Sequence, residues 1–549
     1  MDPNIDSRKP PRPIKEGPFA EHDETAAAIQ GTVDHVLDPV SYGPGGLRGI
    51  YHSPYVFGTA LLASLGGFSM GYDMGVISVI NTMEQFHAVF PRAESGFGEG
   101  LMTGMLLLGS FVGCLFMPYM ADKISRKWAL TVVVVIFDIG AILQTAAVNY
   151  AMLVVGRFIG GIGVGTLAMG APLYISEIAP ANIRGTLLVL ESVAITLGVV
   201  VAFWISFATK SMVGEVSFRL PFGLQMVTAT ALGAGIHFFP YSPRWLALVN
   251  RLDECRSSLS KLRGLPETDE RIKEEYRGIV SEIQFQKFVM QKRHPGAMGI
   301  KLEIVSWLDL FSDRMWKRTA VACGVGFFQQ FSGINAFIYY APTLFSSLGQ
   351  SSEKSLILSG VFDILQFIAS LVCSVAVDHA GRRFLAIAGG FGCSIAYIII
   401  AVLSGLYSDD WSANVSAGWA CVAMAFIFIL IYGVSYSPLG WALPAEVYPN
   451  TSRSKGVALA TCVIWISDFI VGVVTPTMMN DIGYGTYIFF GAMCFLAGVW
   501  AFFLVPETSG KTLEEIDELF GDSSGQEETQ IIRENILAAA GNENISKTV

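Results

Sequence analysis

Twelve apolar runs divide this chain, and each is long enough to cross a lipid bilayer as a helix. A membrane-spanning helix needs about 20 apolar residues. The runs lie at 55–80, 100–120, 129–147, 151–175, 186–207, 221–240, 320–346, 355–377, 384–406, 418–440, 456–478 and 485–505. Charged residues make up only 15% of the 549-residue chain, whereas a soluble domain carries about 25%. The sequence therefore predicts an all-α membrane protein with twelve transmembrane helices, numbered here as spans 1 to 12.

One long charged connection, at 241–319, separates the first six runs from the last six. We therefore predict an N-terminal six-helix half at 55–240, a central loop with short helices at 241–319, and a C-terminal six-helix half at 320–506. Residues 1–54 contain no apolar core and many proline and charged residues, which predicts a disordered N-terminal tail. Residues 507–549 form the predicted C-terminal tail.

Lysine and arginine are distributed unequally between the two sides of the predicted bundle. The loops on one side of the bundle carry only four basic residues, Arg92, Lys210, Arg219 and Lys354. The short loops after spans 2, 4, 8 and 10 carry Lys123, Arg126, Lys127, Arg184, Arg382, Arg383, Arg453 and Lys455. Because basic loops stay in the cytoplasm, we expect both tails and the central loop to be cytoplasmic. The net charge of -10 comes without a basic block, which argues against a nucleic-acid partner.

The two predicted halves repeat the same charged motifs at their cytoplasmic helix ends. Asp122 and Arg126 after span 2 match Asp378 and Arg382 after span 8, at an offset of 256 residues. Two more matches, 176–180 with 445–449 and 240–244 with 506–508, have offsets of 269 and 266 residues. Parallel repeats of this kind are typical of transporters whose site lies between the halves.

Acidic residues stand beside the basic ones in both halves, so we expect ion pairs between neighbouring helix ends. Exposed pairs contribute little to stability, but pairs that form in one state and break in another bias a two-state equilibrium. The sequence therefore predicts a cytoplasmic gate, and the alternative is simple anchoring of basic loops. The predicted gating residues are Asp122, Arg126, Glu177, Arg184, Asp378, Arg382, Arg383, Glu446, Arg453 and Glu507.

Few ionisable residues lie inside the predicted spans, and each costs about 2.5–3.5 kcal/mol on insertion scales. Asp73 in span 1 and Arg157 in span 4 form the clearest pair, because glycines near both allow close helix approach. Opposite charges held together favour an ionised aspartate, and their separation favours a protonated one. We therefore predict that this pair couples transport to a proton, the alternative being a static salt bridge. Asp138, Asp363 and His237 are expected to contact neighbouring helices.

Several short motifs resemble those of the sugar porter family of the major facilitator superfamily, and in particular fungal hexose and pentose transporters. They are 71–73, 156–161, 172–177 with 184–185, 243–246, 329–330 with 333–335 and 339–340, 381–383, and 506–508. The resemblance covers about residues 55–520. It implies sugar transport across the plasma membrane by alternating access, without a cofactor and with a monomeric functional unit. An aspartate at position 73 is what proton-coupled members carry, so the resemblance implies symport.

The resemblance also implies where the substrate binds. Amides both donate and accept hydrogen bonds, which suits sugar hydroxyls, and the implied cradle in span 7 consists of Gln329, Gln330, Asn335 and Tyr339. Trp441 and Trp465 match positions that stack on the apolar face of a sugar ring. The alternative for each tryptophan is packing or interfacial anchoring.

The resemblance implies three further substrate positions, and at each of them this chain departs from the family pattern. Ser192 stands where the family has glutamine, with Glu191 beside it, and Gln366 and Asp468 stand where the family has asparagine. An added carboxylate disfavours an anionic substrate, because like charges repel. The sequence therefore favours a neutral monosaccharide, a hexose or a pentose, as the substrate.

Other functions remain open at the level of sequence. A facilitative sugar uniporter, a sugar sensor, and a carrier of disaccharides, polyols or sugar acids are the alternatives. The chain shows no set of nucleophile, base and orienting residue, and its eight cysteines have no metal-ligand spacing, so we predict neither an enzyme nor a metal site. The glycine-rich stretch 161–165 lies inside an apolar run without a preceding strand, which argues against a nucleotide loop.

Overall fold

A computed structural model describes residues 42–44, 46–296, 299–313, 315–449, 452–509, 511, 515–516 and 519–521. The side chains of 47, 300 and 374–380 lie outside this description, as do residues 1–41 and 522–549 of the predicted tails. The described residues form helices joined by loops, and no strand occurs among them.

Each predicted span corresponds to a helix or to a pair of helices. In the N-terminal half these are Pro54–Ala63 with Leu65–Ile80, Gly96–Ile124, Arg126–Thr145, Tyr150–Ile178, Ala181–Thr209 and Val216–Gly235. In the C-terminal half they are Trp316–Phe331 with Ile334–Ser347, Ser352–Ala380, Arg382–Tyr407, Val415–Val434 with Tyr436–Val447, Arg453–Ile482 and Gly485–Leu504. The boundaries differ from the apolar runs mainly because several helices continue past the apolar region.

Span 6 is the least apolar of the twelve. Within the described residues, eleven helical segments have the length and composition to cross a membrane, and Val216–Gly235 is not among them. This helix has 20 residues, but it contains Arg219, Pro221 and Gln225. Gln225 is fully buried, so part of this polarity faces other helices.

Spans 7 and 10 are interrupted, although each was predicted from one continuous apolar run. Span 7 breaks at Ser332 and Gly333, where Gly333 has a φ of 83°. A positive φ favours glycine, and a β-carbon at this position would lie 2.6 Å from the Tyr397 hydroxyl. Span 10 breaks at Ser435, whose φ of -119° and ψ of -88° lie outside the helical region. Both breaks free backbone carbonyl groups for contacts with side chains.

The two halves meet along spans 2 and 11 and along spans 5 and 8. Span 2 approaches span 11 so closely that a β-carbon at Gly100 would lie 2.3 Å from the Val473 carbonyl oxygen. Between spans 5 and 8, the hydroxyl oxygens of Thr196 and Ser370 are 3.1 Å apart. Small residues permit this approach, and the space left between the contacts forms a cavity.

The predicted N-terminal tail is wrong in its last part, because residues 46–52 form the helix Gly46–His52. The segment is held by the start of span 5, where Asn182 Nδ2 donates to the Pro44 carbonyl at 3.1 Å. Tyr42 donates to Glu275 in the central loop at 2.7 Å. The loop itself contains the helices Pro243–Leu248, Leu252–Arg263, Glu270–Arg293 and Ile300–Leu308. The segment that ends at residue 54 contains too few apolar side chains for the helix Gly46–His52 to be predicted from composition.

Candidate functional site

A cavity between the halves collects most of the residues that the sequence assigned to the substrate. It encloses about 650 Å³ of space not filled by atoms, part of it open to solvent. Eight of the nine predicted substrate residues line it, namely Ser192, Gln329, Gln330, Asn335, Gln366, Trp441, Trp465 and Asp468. These side chains come from spans 5, 7, 8, 10 and 11, so both halves contribute to the wall.

The cavity wall also contains residues that the sequence did not single out. Met70 and Met74 of span 1, Thr196 of span 5 and Tyr432 of span 10 all line it. The methionines lie in an apolar run and were not distinguishable from ordinary packing residues. Their position on either side of Asp73 was the available signal, because residues that flank a buried ionisable group share its surroundings.

Tyr339, the ninth predicted substrate residue, does not line the cavity. Its hydroxyl donates to Asp468 Oδ2 at 3.0 Å, and the tyrosine is fully buried. The structure therefore places Tyr339 behind the cavity wall, and its predicted contact with the substrate stays a prediction. Tyr339 contributes to the cavity indirectly, because its hydrogen bond orients the Asp468 carboxylate, which does line the wall.

The helix breaks position the amides of span 7. Asn335 Nδ2 lies beyond the break and donates to Gln330 Oε1 before it, at 2.6 Å. Gln329 Nε2 donates to the carbonyl oxygens of Tyr436 at 3.1 Å and Ser437 at 3.3 Å, at the start of the second part of span 10. These hydrogen bonds fix the amides on both sides of the two breaks.

Four polar atoms of the lining residues are buried without a hydrogen-bond partner among the described residues. Three are acceptors, Gln329 Oε1, Gln366 Oε1 and Asp468 Oδ1, and one is a donor, Trp465 Nε1. An unsatisfied buried polar group costs about 1–3 kcal/mol. A polar molecule in this cavity would supply the missing partners, which is what a binding site for a polyhydroxyl compound requires.

Asp73 and Arg157 lie together in the N-terminal half, beside the cavity. Arg157 Nη1 is 3.7 Å from Asp73 Oδ1, and the two side chains are 1% and 0% exposed. The guanidinium is held by other groups, because Nε donates to the Met102 carbonyl at 2.9 Å and Nη1 to Gln144 Oε1 at 3.5 Å. Neither oxygen of Asp73 has a hydrogen-bond partner among the described residues.

The remaining ionisable residues of the spans differ in their contacts. Asp138 Oδ2 accepts from Thr230 at 2.9 Å, and His237 Nε2 lies 2.9 Å from Thr131 Oγ1, which confirms that both contact neighbouring helices. Asp363 is buried, and no hydrogen bond or ion pair joins it to another described residue. Glu191 is buried against Gly67 of span 1, and its Oε1 has no partner in the described part of the chain.

The predicted gating residues Asp122, Arg126 and Glu177 of the N-terminal half form one cluster, at the helix ends that are expected to be cytoplasmic. Arg126 pairs with Glu177 at 2.8 Å and with Asp122 at 2.9 Å. Ser242 donates to the second oxygen of Glu177. Arg184, which was predicted to belong here, is exposed and forms no ion pair within the described residues. The charged groups near it are Arg244, Arg263, Glu275 and Glu282 of the central loop.

The C-terminal half carries a matching cluster. Arg382 pairs with Glu446 at 3.0 Å, and Thr508 donates to the other oxygen of Glu446 at 2.6 Å. Glu507 accepts from the backbone nitrogens of Arg382 at 2.8 Å and Arg383 at 3.1 Å. Arg453 Nε donates to the Tyr448 carbonyl at 3.3 Å. The side chain of Asp378 lies outside the described residues.

A family model described as "Sugar (and other) transporter" matches residues 59–520. The chain belongs to this sugar transporter family. It is 31% identical over 511 residues to "Low-affinity glucose transporter HXT3" of Saccharomyces cerevisiae, covering 90% of this chain and 87% of the relative. It is 33% identical over 476 residues to "High glucose sensor RGT2" of the same yeast, covering 84% of this chain and 60% of that relative.

Solved structures place this sugar transporter in the major facilitator fold. The proton:xylose symporter XylE bound to 6-bromo-6-deoxy-D-glucose matches with a TM-score of 0.70 and 25% identity, over 86% of this chain and 100% of that one. The predicted twelve-helix architecture with two six-helix halves is therefore confirmed. The family and the apolar helices together make the chain a multi-pass membrane protein.

Proposed function

We propose that this sugar transporter is a proton-coupled symporter of a neutral monosaccharide, a hexose or a pentose, that works by alternating access. It acts in the plasma membrane as a monomer, with both tails cytoplasmic, and it catalyses no chemical reaction. The observation that carries the proposal is the buried Asp73 and Arg157 pair beside a cavity lined by amides and indoles. The glucose transporter among its relatives and the proton:xylose symporter among its structural matches support the same function.

The cavity suits a sugar for two physical reasons. A sugar ring has apolar faces formed by its C–H groups, and Trp441 and Trp465 offer aromatic surface on which such a face stacks. The ring also has hydroxyls at its edge, and Gln329, Gln330 and Gln366 offer amides that donate and accept. In this proposal Ser192, Asn335 and Asp468 complete the polar wall.

The long distance between the charged groups of Asp73 and Arg157 supports proton coupling. At 3.7 Å the two groups attract each other without forming a hydrogen bond. A small separation of spans 1 and 4 removes the remaining attraction, and the carboxylate then takes up a proton. The Met102 carbonyl keeps Arg157 in place meanwhile, so Asp73 is the group that changes its charge during the cycle.

The cytoplasmic clusters complete the mechanism as a gate. Each lies within one half, around Glu177 in one and Glu446 in the other. Because each ties several helix ends together, each half turns as a unit when the cavity opens to the other side of the membrane. The contacts hold in the state described here and loosen in the opposite one.

Uptake by cells that lack their own sugar transporters tests the function. Cells expressing this chain are expected to accumulate labelled glucose or xylose above the external concentration, more strongly at acidic external pH. A protonophore is expected to abolish the accumulation. Uptake that stops at equal concentrations and ignores the protonophore would identify a facilitative uniporter, and the buried Asp73 is the feature that counts against that outcome.

A sugar sensor is the second candidate, favoured by the 33% identity to "High glucose sensor RGT2". A sensor binds sugar through the same cavity but moves little of it. The same uptake assay separates the two, since a sensor gives sugar-dependent gene expression without sugar accumulation. The buried Asp73 and Arg157 pair favours the symporter, because sensing does not require a group that exchanges protons.

A further inference from the structure

A second cavity, here called the loop cavity, lies in the central loop. It encloses about 630 Å³ of space not filled by atoms, part of it open to solvent. Its wall is formed by the helices Leu252–Arg263 and Glu270–Arg293 and by the turn between them. The residues that line it are Arg256, Glu267, Thr268, Lys273, Tyr276 and Arg277. Among the described residues, none lines both this cavity and the one between the halves.

The basic side chains of the loop cavity are brought together by two packed helices. Lys273, Tyr276 and Arg277 are spaced three and four residues apart, so they lie on one face of their helix. Arg256 comes from the other helix, and its guanidinium carbon lies 4.8 Å from the centre of the Tyr276 ring. The two helices share a small buried core, formed by Cys255, Leu259, Ile272 and Ile283. This core fixes the wall on which the basic side chains stand.

Two of these cations differ from other arginines of the central loop in having no carboxylate partner. Arg256 and Arg277 form no ion pair with a residue that the structure describes. Arg256 Nε is also buried without a hydrogen-bond partner in the described part of the chain. Four other arginines of the loop each pair with an acidic residue, namely Arg244, Arg251, Arg263 and Arg271. The two unpaired arginines therefore meet at the loop cavity.

The acidic groups at the loop cavity leave its positive charge largely uncompensated. Glu270 is paired with Lys273 at 2.9 Å. Glu267 is the one acidic residue among the described residues of the wall, and it is exposed in the turn, where water and salt screen its charge. A phosphate group has several acceptor oxygens, and guanidinium groups match its geometry with paired donors. Such a group would also supply the partner that Arg256 Nε lacks.

We propose that the loop cavity binds a phosphate group. Arg256 and Arg277 bind its oxygens through their guanidinium groups, and the Thr268 hydroxyl donates a further hydrogen bond. Lys273 adds a positive charge at the edge of the cavity. The compound that carries the phosphate is a soluble phosphate monoester or the headgroup of a phosphorylated lipid, since both present the same group to these donors. This site is separate from the cavity proposed for the transported sugar.

Isothermal titration calorimetry on the purified full-length protein in detergent tests the proposal. The probes are inorganic phosphate, glycerol 3-phosphate and short-chain phosphatidylinositol 4-phosphate, with short-chain phosphatidylcholine as the blank. Glycerol 3-phosphate is used because a sugar phosphate can also enter the cavity between the halves. Binding of the soluble probes identifies a soluble monoester as the source, and binding of the phosphorylated lipid alone identifies a lipid headgroup.

The variants Arg256→Gln and Arg277→Gln are each expected to weaken phosphate binding about tenfold or more, because each removes charge-assisted hydrogen bonds. The matched control is Arg271→Gln on the same helix as Arg277, since Arg271 is already paired with Asp269. This control is expected to bind the probes within about twofold of the wild-type protein. Arg277 is exposed, so its replacement decides the test if Arg256→Gln does not fold.

Two results would overturn the proposal. One is a wild-type protein that binds none of the probes more tightly than it binds the blank. The other is an equal loss of binding in Arg271→Gln and Arg277→Gln, which would show only a general attraction of anions to a basic loop. No sugar and no proton gradient are present in the titration. A failure of the proposed transport function therefore leaves this test intact.

Discussion

Arg157 Nη1 lies 3.7 Å from Asp73 Oδ1 at a site where both side chains are buried. The distance is longer than a hydrogen bond, and the guanidinium is held mainly by the Met102 carbonyl at 2.9 Å. The arginine is therefore part of the fixed frame of the N-terminal half. The carboxylate has no hydrogen-bond partner among the described residues, so its protonation changes few other contacts.

The substitution Asp73→Asn is expected to abolish concentrative uptake while preserving exchange of labelled for unlabelled sugar. The amide keeps the shape of the side chain but cannot gain or lose a proton. Accumulation and counterflow, measured in the same vesicles, separate these two activities. The matched control is Asp138→Asn, because Asp138 is also an aspartate in a span but accepts from Thr230 outside the cavity. Equal loss of accumulation in both variants would contradict the prediction.

The substitution Arg157→Gln is expected to damage folding more than Asp73→Asn does. Removing the arginine leaves a buried carboxylate without any positive neighbour, and breaking a buried pair in this way costs about 3–5 kcal/mol. The double variant Asp73→Asn with Arg157→Gln is expected to recover part of the lost stability, because no lone charge remains. Thermal unfolding of the four proteins in detergent measures this coupling. Additive losses would show that the two residues do not interact.

The substitution Gly440→Ala is expected to raise the KM for sugar without loss of folded protein. A β-carbon at this position would lie 2.3 Å from Gln329 Oε1, so the amide must move from its present position. A displaced amide loses a hydrogen bond to the sugar, which raises KM by about tenfold. Gly58→Ala is the control, since a β-carbon there meets nothing within 4 Å. A KM equal to the wild-type value would separate Gln329 from sugar binding.

The substitutions Glu177→Gln and Glu446→Gln are expected to change the balance between the two faces of the transporter. Each glutamate accepts from an arginine and a hydroxyl, Glu177 from Arg126 and Ser242, and Glu446 from Arg382 and Thr508. If these contacts belong to one state only, their loss alters the ratio of the KM values at the cytoplasmic and external faces. Right-side-out and inside-out vesicles give the two values. An unchanged ratio with lower thermal stability would mean that the clusters only anchor the loops.

Sequence reasoning identified most of the architecture because hydrophobicity and repetition act locally. Apolar runs predict helices, and the similar offsets of Asp122 with Asp378 and of Glu177 with Glu446 predict two equivalent halves. The helix Gly46–His52 was missed, because the contact between Asn182 and Pro44 that holds this segment joins residues that are far apart in the chain. Span 6 also shows that a helix that packs against others need not be strongly apolar.

The residues of the candidate site were predicted from the resemblance to the sugar porter family, and spacing along a helix added only which of them share a face. Asn335 and Tyr339 are four residues apart, which placed both on one face of span 7. In the structure the two residues have different contacts, because the Tyr339 hydroxyl donates to Asp468 of another helix. Contacts of that kind depend on how two helices are rotated against each other, and a single sequence does not contain that rotation. The break at Gly333 was equally hidden within an apolar run.

The two breaks near the cavity give spans 7 and 10 a joint at the depth of the candidate site. A continuous helix transmits bending along its whole length, whereas a joint lets its inner and outer segments tilt separately. Gln329 links the two joints, because its amide on span 7 donates to Tyr436 and Ser437 directly after the break of span 10. A ligand that turned this one side chain would break both of its contacts with span 10, so the two joints would be released together.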